Sequence, residues 1–353
     1  MMISRVAEVC FWMLRHVERA DAMARLLRVN RSFVLDAPLS PARKWTPLIV
    51  AVGEEARFTE TFSREACTDG ECVQDYMTWD TRNPVSIASA IYWARENALT
   101  IRDVVSLELW EVLNDHWHWL RGGLGRRLYL RDTEAFYRHV SQTAAMFQGV
   151  CHNTMLHDTP FDFMRLGMLL ERAGQTARVL DVHHHTFRAG LSDRPGDTTG
   201  PGSIDEGVER MHWLALLRLC SGTSPFLKRV RSTPTGKHVT AFLTLDADFP
   251  RSIFHCLDRA KAFLERLRPD RSRGVASFEA LSELHASLVG VTGEALEARG
   301  LHTELTRLVD GTLAVCDAIH KDYFDPGPGD ALRAEGLAEP KARAASPTAW
   351  MNA

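Results

Sequence analysis

The sequence predicts an all-α protein, a multi-helix bundle of roughly eleven helices. Leu, Ala, Trp, Arg and Glu recur at spacings of three and four residues, which is the period of a helix face. The period-two alternation that is typical of strands is almost absent. Of the 353 residues, 45% are hydrophobic, which is enough to build a sizeable core.

The helices of the first half are placed by their capping and breaking residues. The first helix is predicted from Ser4 to about Phe33. Thr46 and Pro47 predict an N-cap and a first helical position, because proline has no N–H to leave unpaired there. Asp132 predicts another N-cap. The remaining helices of this half are predicted near 73–79, over 85–100 and 102–121, and over 132–152. The segments 85–100 and 102–121 are two helices or one bent helix, and the GGLG sequence at 122–125 ends them.

The second half begins with Asp158-Thr159-Pro160, which predicts the start of a long helix ending near His183-His184-His185. Residues 189–203, rich in Gly, Pro, Ser and Asp, predict a loop. Helices are then predicted over 204–221, 225–231, 236–246, 251–268, 276–299 and 302–324. Residues 1–325 are therefore expected to form one helical domain, and residues 326–353 are predicted to be a disordered tail with little to bury.

Composition excludes several classes of function. Lys and Arg total 42 against 45 Asp and Glu, a net charge of −3, which argues against nucleic-acid binding. No apolar run approaches the roughly 18 residues that a membrane span requires. The first twenty residues lack a signal-peptide core, and the seven cysteines show no C-x-x-C spacing. These features predict a cytoplasmic protein without membrane contact.

Two segments of the sequence resemble each other. Residues 18–29 read ERADAMARLLRV and residues 171–182 read ERAGQTARVLDV, which match at seven of twelve positions without a gap. Some of these matches involve residues that are common in any helix. The intact E-R-A and A-R pairs nevertheless favour an internal duplication of one helix, with copies near 4–33 and 160–185.

Charged residues lie on helix stripes that otherwise carry apolar side chains. At 100° per residue, positions seven apart lie within about 20° of one line. Three such pairs fall on apolar stripes: Glu18 with Arg25, Glu171 with Arg178, and Arg95 with Arg102. A charge on a buried stripe must be paired, because an uncompensated buried ion costs several kcal/mol.

These charges allow two interpretations. Glu18, Arg25, Glu171 and Arg178 could form a buried structural ion-pair network, and antiparallel packing of the two copies would pair Glu18 with Arg178 and Arg25 with Glu171. Alternatively, the four arginines exceed the two glutamates and form an anion-binding cleft, since guanidinium groups suit carboxylate or phosphate. A helix start at Arg251 would add backbone N–H groups. The candidate anion ligands are Arg25, Arg95, Arg102, Arg178 and Arg251.

Recognisable catalytic and cofactor motifs are absent. The sequence contains no P-loop, dinucleotide fingerprint, H-E-x-x-H, G-x-S-x-G or EF-hand loop, so no cofactor and no catalytic residue is predicted. His183-His184-His185, with His152 and His157, could be taken for a metal site. Adjacent helical histidines diverge by about 100°, however, so a solvated helix end is favoured over a metal site.

Four separated blocks of the sequence carry a family resemblance. FWMLRHVERADAMARLLRVN near the start, the segment 86–114, the second ERAGQTARVLDV and PRSIFHCL at 250–257 resemble the bacterial alpha-E family, an all-helical domain with an E-R motif, over residues 2–324. Family members usually show Tyr-Trp and Arg-Tyr-Leu where this chain has Phe11-Trp12 and Arg15-His16-Val17.

The resemblance implies a function in a multi-protein system. Such proteins tend to be encoded beside an ATP-grasp ligase-like protein and a transglutaminase-like peptidase, which implies an accessory or scaffold protein of an amide or peptide ligase system. That protein would hold an anionic substrate or product in the arginine-rich cleft. The alternative is an enzyme with Glu18 or Glu171 as acid/base, although nearby arginines lower a carboxyl pKa and favour a permanently ionised pair.

Overall fold

The computed structural model describes residues 4–36, 41–192, 204–268 and 274–325. In these ranges the chain is helical and has no strand, which confirms the predicted all-α class. The predicted number of helices is wrong, because these described ranges alone contain sixteen α-helices. They are α1 (Ser4–Asp36), α2 (Pro41–Ala51), α3 (Glu55–Thr61), α4 (Gly70–Thr78), α5 (Ile87–Thr100), α6 (Leu107–Arg121), α7 (Leu124–Arg131), α8 (Thr133–Thr154), α9 (Thr159–Ser192), α10 (Ile204–Leu219), α11 (Thr223–Val230), α12 (Gly236–Leu245), α13 (Ile253–Arg266), α14 (Val275–Ala286), α15 (Gly293–Ala298) and α16 (Leu301–Ile319).

Side-chain caps fix the start of several helices. Asp132 accepts a hydrogen bond from the Ala135 amide at 2.9 Å and begins α8, as the sequence predicts. A serine does the same for α5, α6 and α13, where the hydroxyl accepts from the amide three residues further on. Such caps satisfy one of the amides that a helix start leaves without a partner.

The extra helices come from short elements and from a split. The helix predicted over 276–299 is two helices, α14 and α15, and Gly290 between them has a φ of 71° that favours glycine. Gly123 separates α6 from α7 in the same way, with a φ of 81°. The N-cap predicted at Thr46 is wrong, because Pro47 lies inside α2. Burial of Leu48 and Ile49 stabilises this helix against the hydrogen bond that proline removes.

Two long helices form the centre of the molecule. α1 and α9 pack along each other, α1 also packs on α5 and α8, and α9 packs on α13 and α16. Gly167 permits the close approach, because a Cβ at this position would lie 2.2 Å from the carbonyl oxygen of Phe11. The contacts Phe11–Gly167, Arg15–Glu171 and Glu18–Arg172 occur in the same order of increasing residue number along α1 and along α9. The two helices therefore run parallel, and the predicted antiparallel packing is wrong.

Some predicted features lie outside the described residues. The proposed tail, residues 326–353, is one of them, and so is most of the predicted loop at 189–203. The part of that loop up to Ser192 is helical, because α9 continues to this residue. In the described ranges, no helix combines the length and the apolar character that crossing a membrane requires.

Candidate functional site

The two E-R pairs meet where α1 contacts α9. The Arg172 Nε and Nη2 atoms donate to Glu18 Oε1 and Oε2 at 2.9 and 2.7 Å. The Arg19 Nε and Nη2 atoms donate to Glu171 Oε1 and Oε2 at 2.8 and 3.1 Å. Each glutamate is thus bound by the arginine of the other helix. The exchange is reciprocal, as a pseudo-two-fold axis between parallel helices requires.

Further side chains complete the contacts of Glu18. Arg251, just before α13, donates from Nη1 to Glu18 Oε1 at 2.8 Å and from Nη2 to Asp21 Oδ2 at 3.0 Å. Arg25 Nη2 donates to Asp21 and lies 3.9 Å from Glu18 Oε1. Gln148 Nε2 donates to Glu18 Oε2 at 2.9 Å. Side chains from three helices, and from a residue two positions before a fourth, therefore meet on one carboxylate.

Glu171 has a comparable set of donors. Arg15 Nε and Nη2 both donate to Glu171 Oε2, at 3.0 and 2.9 Å, and Gln175 Nε2 donates to Oε1 at 3.1 Å. Arg15 also contacts the Cys316 sulfur at 3.2 Å. We refer to the eight charged residues as the ER cluster: Arg15, Glu18, Arg19, Asp21, Arg25, Glu171, Arg172 and Arg251.

The carboxylates of Glu18 and Glu171 are sealed and ionised. Glu18 is 1% and Glu171 4% exposed. Burial alone would raise the pKa of Glu18, but Arg172, Arg251 and Arg25 hold it below its ordinary range. Arg19 and Arg15 lower the pKa of Glu171 in the same way, well below its ordinary value. Burial lowers the pKa of Arg25 to about 10, although Asp21 opposes this shift.

Positive charge exceeds negative charge in the ER cluster. Five arginines face three carboxylates, so two positive charges are in excess. The sequence also predicts an excess of two positive charges, but it counts Arg95, Arg102 and Arg178, which are not members of the ER cluster. Arg178 is half buried and has no hydrogen bond or ion pair to any residue that the structure describes, and burial lowers its pKa.

The structure brings together only some of the predicted site residues. Arg25 and Arg251 belong to the ER cluster, whereas Arg95 and Arg102 lie against Trp110, with guanidinium-to-ring distances of 5.4 and 4.5 Å. Arg95 is also paired with Glu96 at 2.9 Å. Periodicity places these arginines on a stripe, but it does not say which helix the stripe faces.

The predicted pairing of Glu18 with Arg178 and of Arg25 with Glu171 is wrong. Because α1 and α9 are parallel, Glu171 rather than Arg178 lies level with Glu18. Arg178 is two turns further on, about 10.5 Å along the axis. Sequence reasoning missed Arg15, Arg19, Asp21 and Arg172 as cluster members. The signal for two of them was available, since Arg19 and Arg172 are the second letters of the repeated E-R pair.

Little free space remains inside the ER cluster. A cavity of about 30 Å³ is lined by Glu18, Arg25, Arg172 and Arg251. This volume suits one or two water molecules. Arg25 Nε is buried without a hydrogen-bond partner and is a suitable donor to such a water. A substrate of several heavy atoms has no room in this cavity.

No metal site is found among the side chains that the structure describes. The rings of His152 and His157 lie 4.8 Å apart, and His157 Nε2 is bonded to the His152 carbonyl at 2.9 Å. The side chains of residues 183–185 lie outside the described set, although their backbone is part of α9.

Comparisons with known proteins identify relatives over almost the whole chain. The family model named Alpha-E, described as a predicted alpha-helical domain with a conserved ER motif, matches residues 2–324. Uncharacterized proteins of Mycobacterium bovis and Mycobacterium tuberculosis are 26% identical over 354 residues. The match covers 95% of this chain but only 37% of each relative, so this chain spans little more than a third of their length. No solved structure matches.

Proposed function

The chain belongs to the Alpha-E family, and from this premise we propose that it is a cytoplasmic accessory protein of an ATP-grasp amide or peptide ligase system. In this role it holds an anionic substrate or product for the ligase and does not itself catalyse the reaction. The partners, an ATP-grasp ligase-like protein and a transglutaminase-like peptidase, are carried over from the family resemblance.

The sealing of Glu18 and Glu171 is the observation that carries this proposal. A general acid or base must come within about 3 Å of the proton that it transfers, and its pKa must lie near the working pH. Both carboxylates are instead occupied by two arginines each and have lowered pKa values. A structural role accounts for these contacts better than the alternative role of Glu18 or Glu171 as acid/base.

The length of the relatives supports an accessory role. The match covers 37% of the Mycobacterium proteins, which therefore contain further sequence outside the matched region. A region that is joined to other sequence in its relatives is suited to act together with other domains. The ER cluster has room for water alone, so its excess positive charge would attract an anionic ligand to the neighbouring surface without holding it.

We also propose that the two central helices arose by internal duplication. The reciprocal contacts support this origin, because the matched positions 18 and 171 exchange partners with the matched positions 19 and 172. Each copy thus supplies the partner of the other, so the pairing follows directly from one repeated E-R motif.

Co-purification tests the accessory role. An ATP-grasp ligase-like protein of the kind that the family resemblance implies is co-expressed with this chain, and we expect the two to elute together from a sizing column. We also expect addition of the chain to change ATP turnover by the ligase severalfold. Absence of both effects would contradict the proposal. Glu171→Gln distinguishes the accessory role from the alternative role as an enzyme. If the chain converts a substrate without the ligase and this variant does not, the chain is itself the enzyme.

A further inference from the structure

An open groove of about 860 Å³ lies beside the ER cluster. We call it the arginine groove, because Arg28 of α1, Arg138 of α8 and Arg218 of α10 line it together with Ser221 and Thr223. Its volume falls in the range of about 300–1,000 Å³ that is typical of small-molecule sites. Unlike the cavity inside the ER cluster, this groove is large enough for a substrate.

The arginines of the groove are largely free. Arg138 and Arg218 are exposed, and neither has an ion pair or hydrogen bond to any residue in the described ranges. Arg28 Nε lies 3.7 Å from Glu134 Oε1, at the long limit for an ion pair. Three positive charges from three helices therefore share the groove with one carboxylate, that of Glu134.

The hydroxyl groups of the groove are available as donors. Ser221 Oγ accepts a hydrogen bond from Arg25 Nη1 at 3.1 Å, and its own proton remains free because a guanidinium only donates. Ser221 has a φ of 53°, a strained conformation for a residue other than glycine. Thr223 Oγ1 is buried without a partner in the first turn of α11. An oxyanion would satisfy both hydroxyls.

We propose that the arginine groove binds a ligand that carries two oxyanion groups, carboxylate or phosphate, on an apolar stem. Guanidinium groups and hydroxyls recognise the oxyanions, and Val29, Leu214 and Ala215 contact the stem. The arginine groove would then be the place where the protein holds the anionic substrate or product of the proposed function, and the inference rests on that function for the identity of the ligand.

Calorimetric titration of the purified full chain at low salt tests the proposal. The probes are citrate, which carries carboxylates, and pyrophosphate, which carries phosphates; sulfate, with a single oxyanion group, is the control. Whichever of citrate and pyrophosphate binds more tightly shows whether the groove prefers carboxylate or phosphate. We expect sulfate to bind at least tenfold more weakly than the better probe. We expect Arg138→Ala/Arg218→Ala to weaken that probe at least tenfold, since each side chain loses a charge-assisted contact.

A matched variant controls for net charge. Arg127→Ala/Arg131→Ala removes two exposed arginines of α7 that do not line the groove, and we expect it to bind like the wild type. Equal weakening in both double variants, or no binding of either probe to the wild type, would overturn the proposal. Ser221→Ala, which keeps the backbone preference but removes the hydroxyl, should weaken binding about threefold. These titrations need no ligase, so loss of co-purification alone would contradict only the proposed function.

Discussion

The pair between Glu18 and Arg172 should couple strongly in a double-mutant cycle. Glu18→Ala removes the acceptor of two hydrogen bonds from Arg172, of one from Arg251 and of one from Gln148. Arg172 is 8% exposed and is left with the Pro250 carbonyl at 3.3 Å, the Gln148 amide oxygen at 3.2 Å and the Met168 sulfur at 3.6 Å, none of which carries a charge. Breaking a buried pair in this way costs about 3–5 kcal/mol, and the remaining neutral contacts favour the lower end.

The converse change, Arg172→Ala, should cost less. Glu18 keeps Arg251 at 2.8 Å and Arg25 at 3.9 Å, so its charge stays compensated. The double variant should then be more stable than the sum of the single changes predicts, by about 1.5 kcal/mol or more. Urea denaturation at pH 7, followed by circular dichroism, measures all four free energies of unfolding. The exposed pair of Lys237 with Glu294 is the matched control and should show no coupling.

Two results would refute this reasoning. Additivity within about 0.5 kcal/mol would mean that Glu18 and Arg172 do not stabilise each other. A larger loss for Arg19→Ala than for Arg172→Ala would also contradict it. Arg19 is the more exposed arginine, and its partner Glu171 keeps two hydrogen bonds from Arg15 when Arg19 is removed.

Three further predictions concern packing and titration. Gly167→Ala should lower the free energy of unfolding in urea by about 3 kcal/mol, because the new Cβ would meet the Phe11 carbonyl oxygen. Gly149→Ala, whose Cβ would have nothing within 4 Å, should instead raise it by up to about 1 kcal/mol through helix propensity. Equal effects of the two variants would contradict the close approach of α1 and α9. Burial lowers the pKa of His116 to about 3, so near pH 6 only the unfolded chain binds a proton at this side chain. The free energy of unfolding should therefore fall as the pH is lowered from 7 to 4, and it should fall less steeply in His116→Phe. Burial raises the pKa of Asp162 to about 6, so ionisation of this carboxyl destabilises the fold above that pH. Asp162→Asn should therefore raise Tm more at pH 8 than at pH 5. An equal gain in Tm at the two pH values would contradict the raised pKa.

The sequence predicts which residues are buried more reliably than which residues meet. Helical period identifies Glu18 and Glu171 as core-facing, and both are buried. It does not encode whether two helices run parallel or antiparallel, because that depends on the whole chain path between α1 and α9. The sequence therefore predicts the wrong arginine partners for the two glutamates, although the observed pairs are reciprocal as expected.

The arginine groove could not be predicted from the sequence for a different reason. Arg28, Arg138 and Arg218 are separated by about eighty to a hundred and ten positions and come from three helices. Exposed arginines of this kind are common on helix surfaces, and periodicity gives no sign that three of them converge. Only the packing of α8 and α10 against α1 brings them to one place.

Buried ion pairs are costly to form, so their presence at the centre of this fold needs a reason. Apolar stripes alone would let α1 and α9 slide by one turn with little change in buried area, whereas two reciprocal bidentate pairs fit only one register. Arg25, about two turns beyond Glu18 on α1, binds Ser221 at the rim of the arginine groove. Arg25 is itself a member of the ER cluster, so this hydrogen bond joins the cluster directly to the groove that Arg28 and Arg218 line.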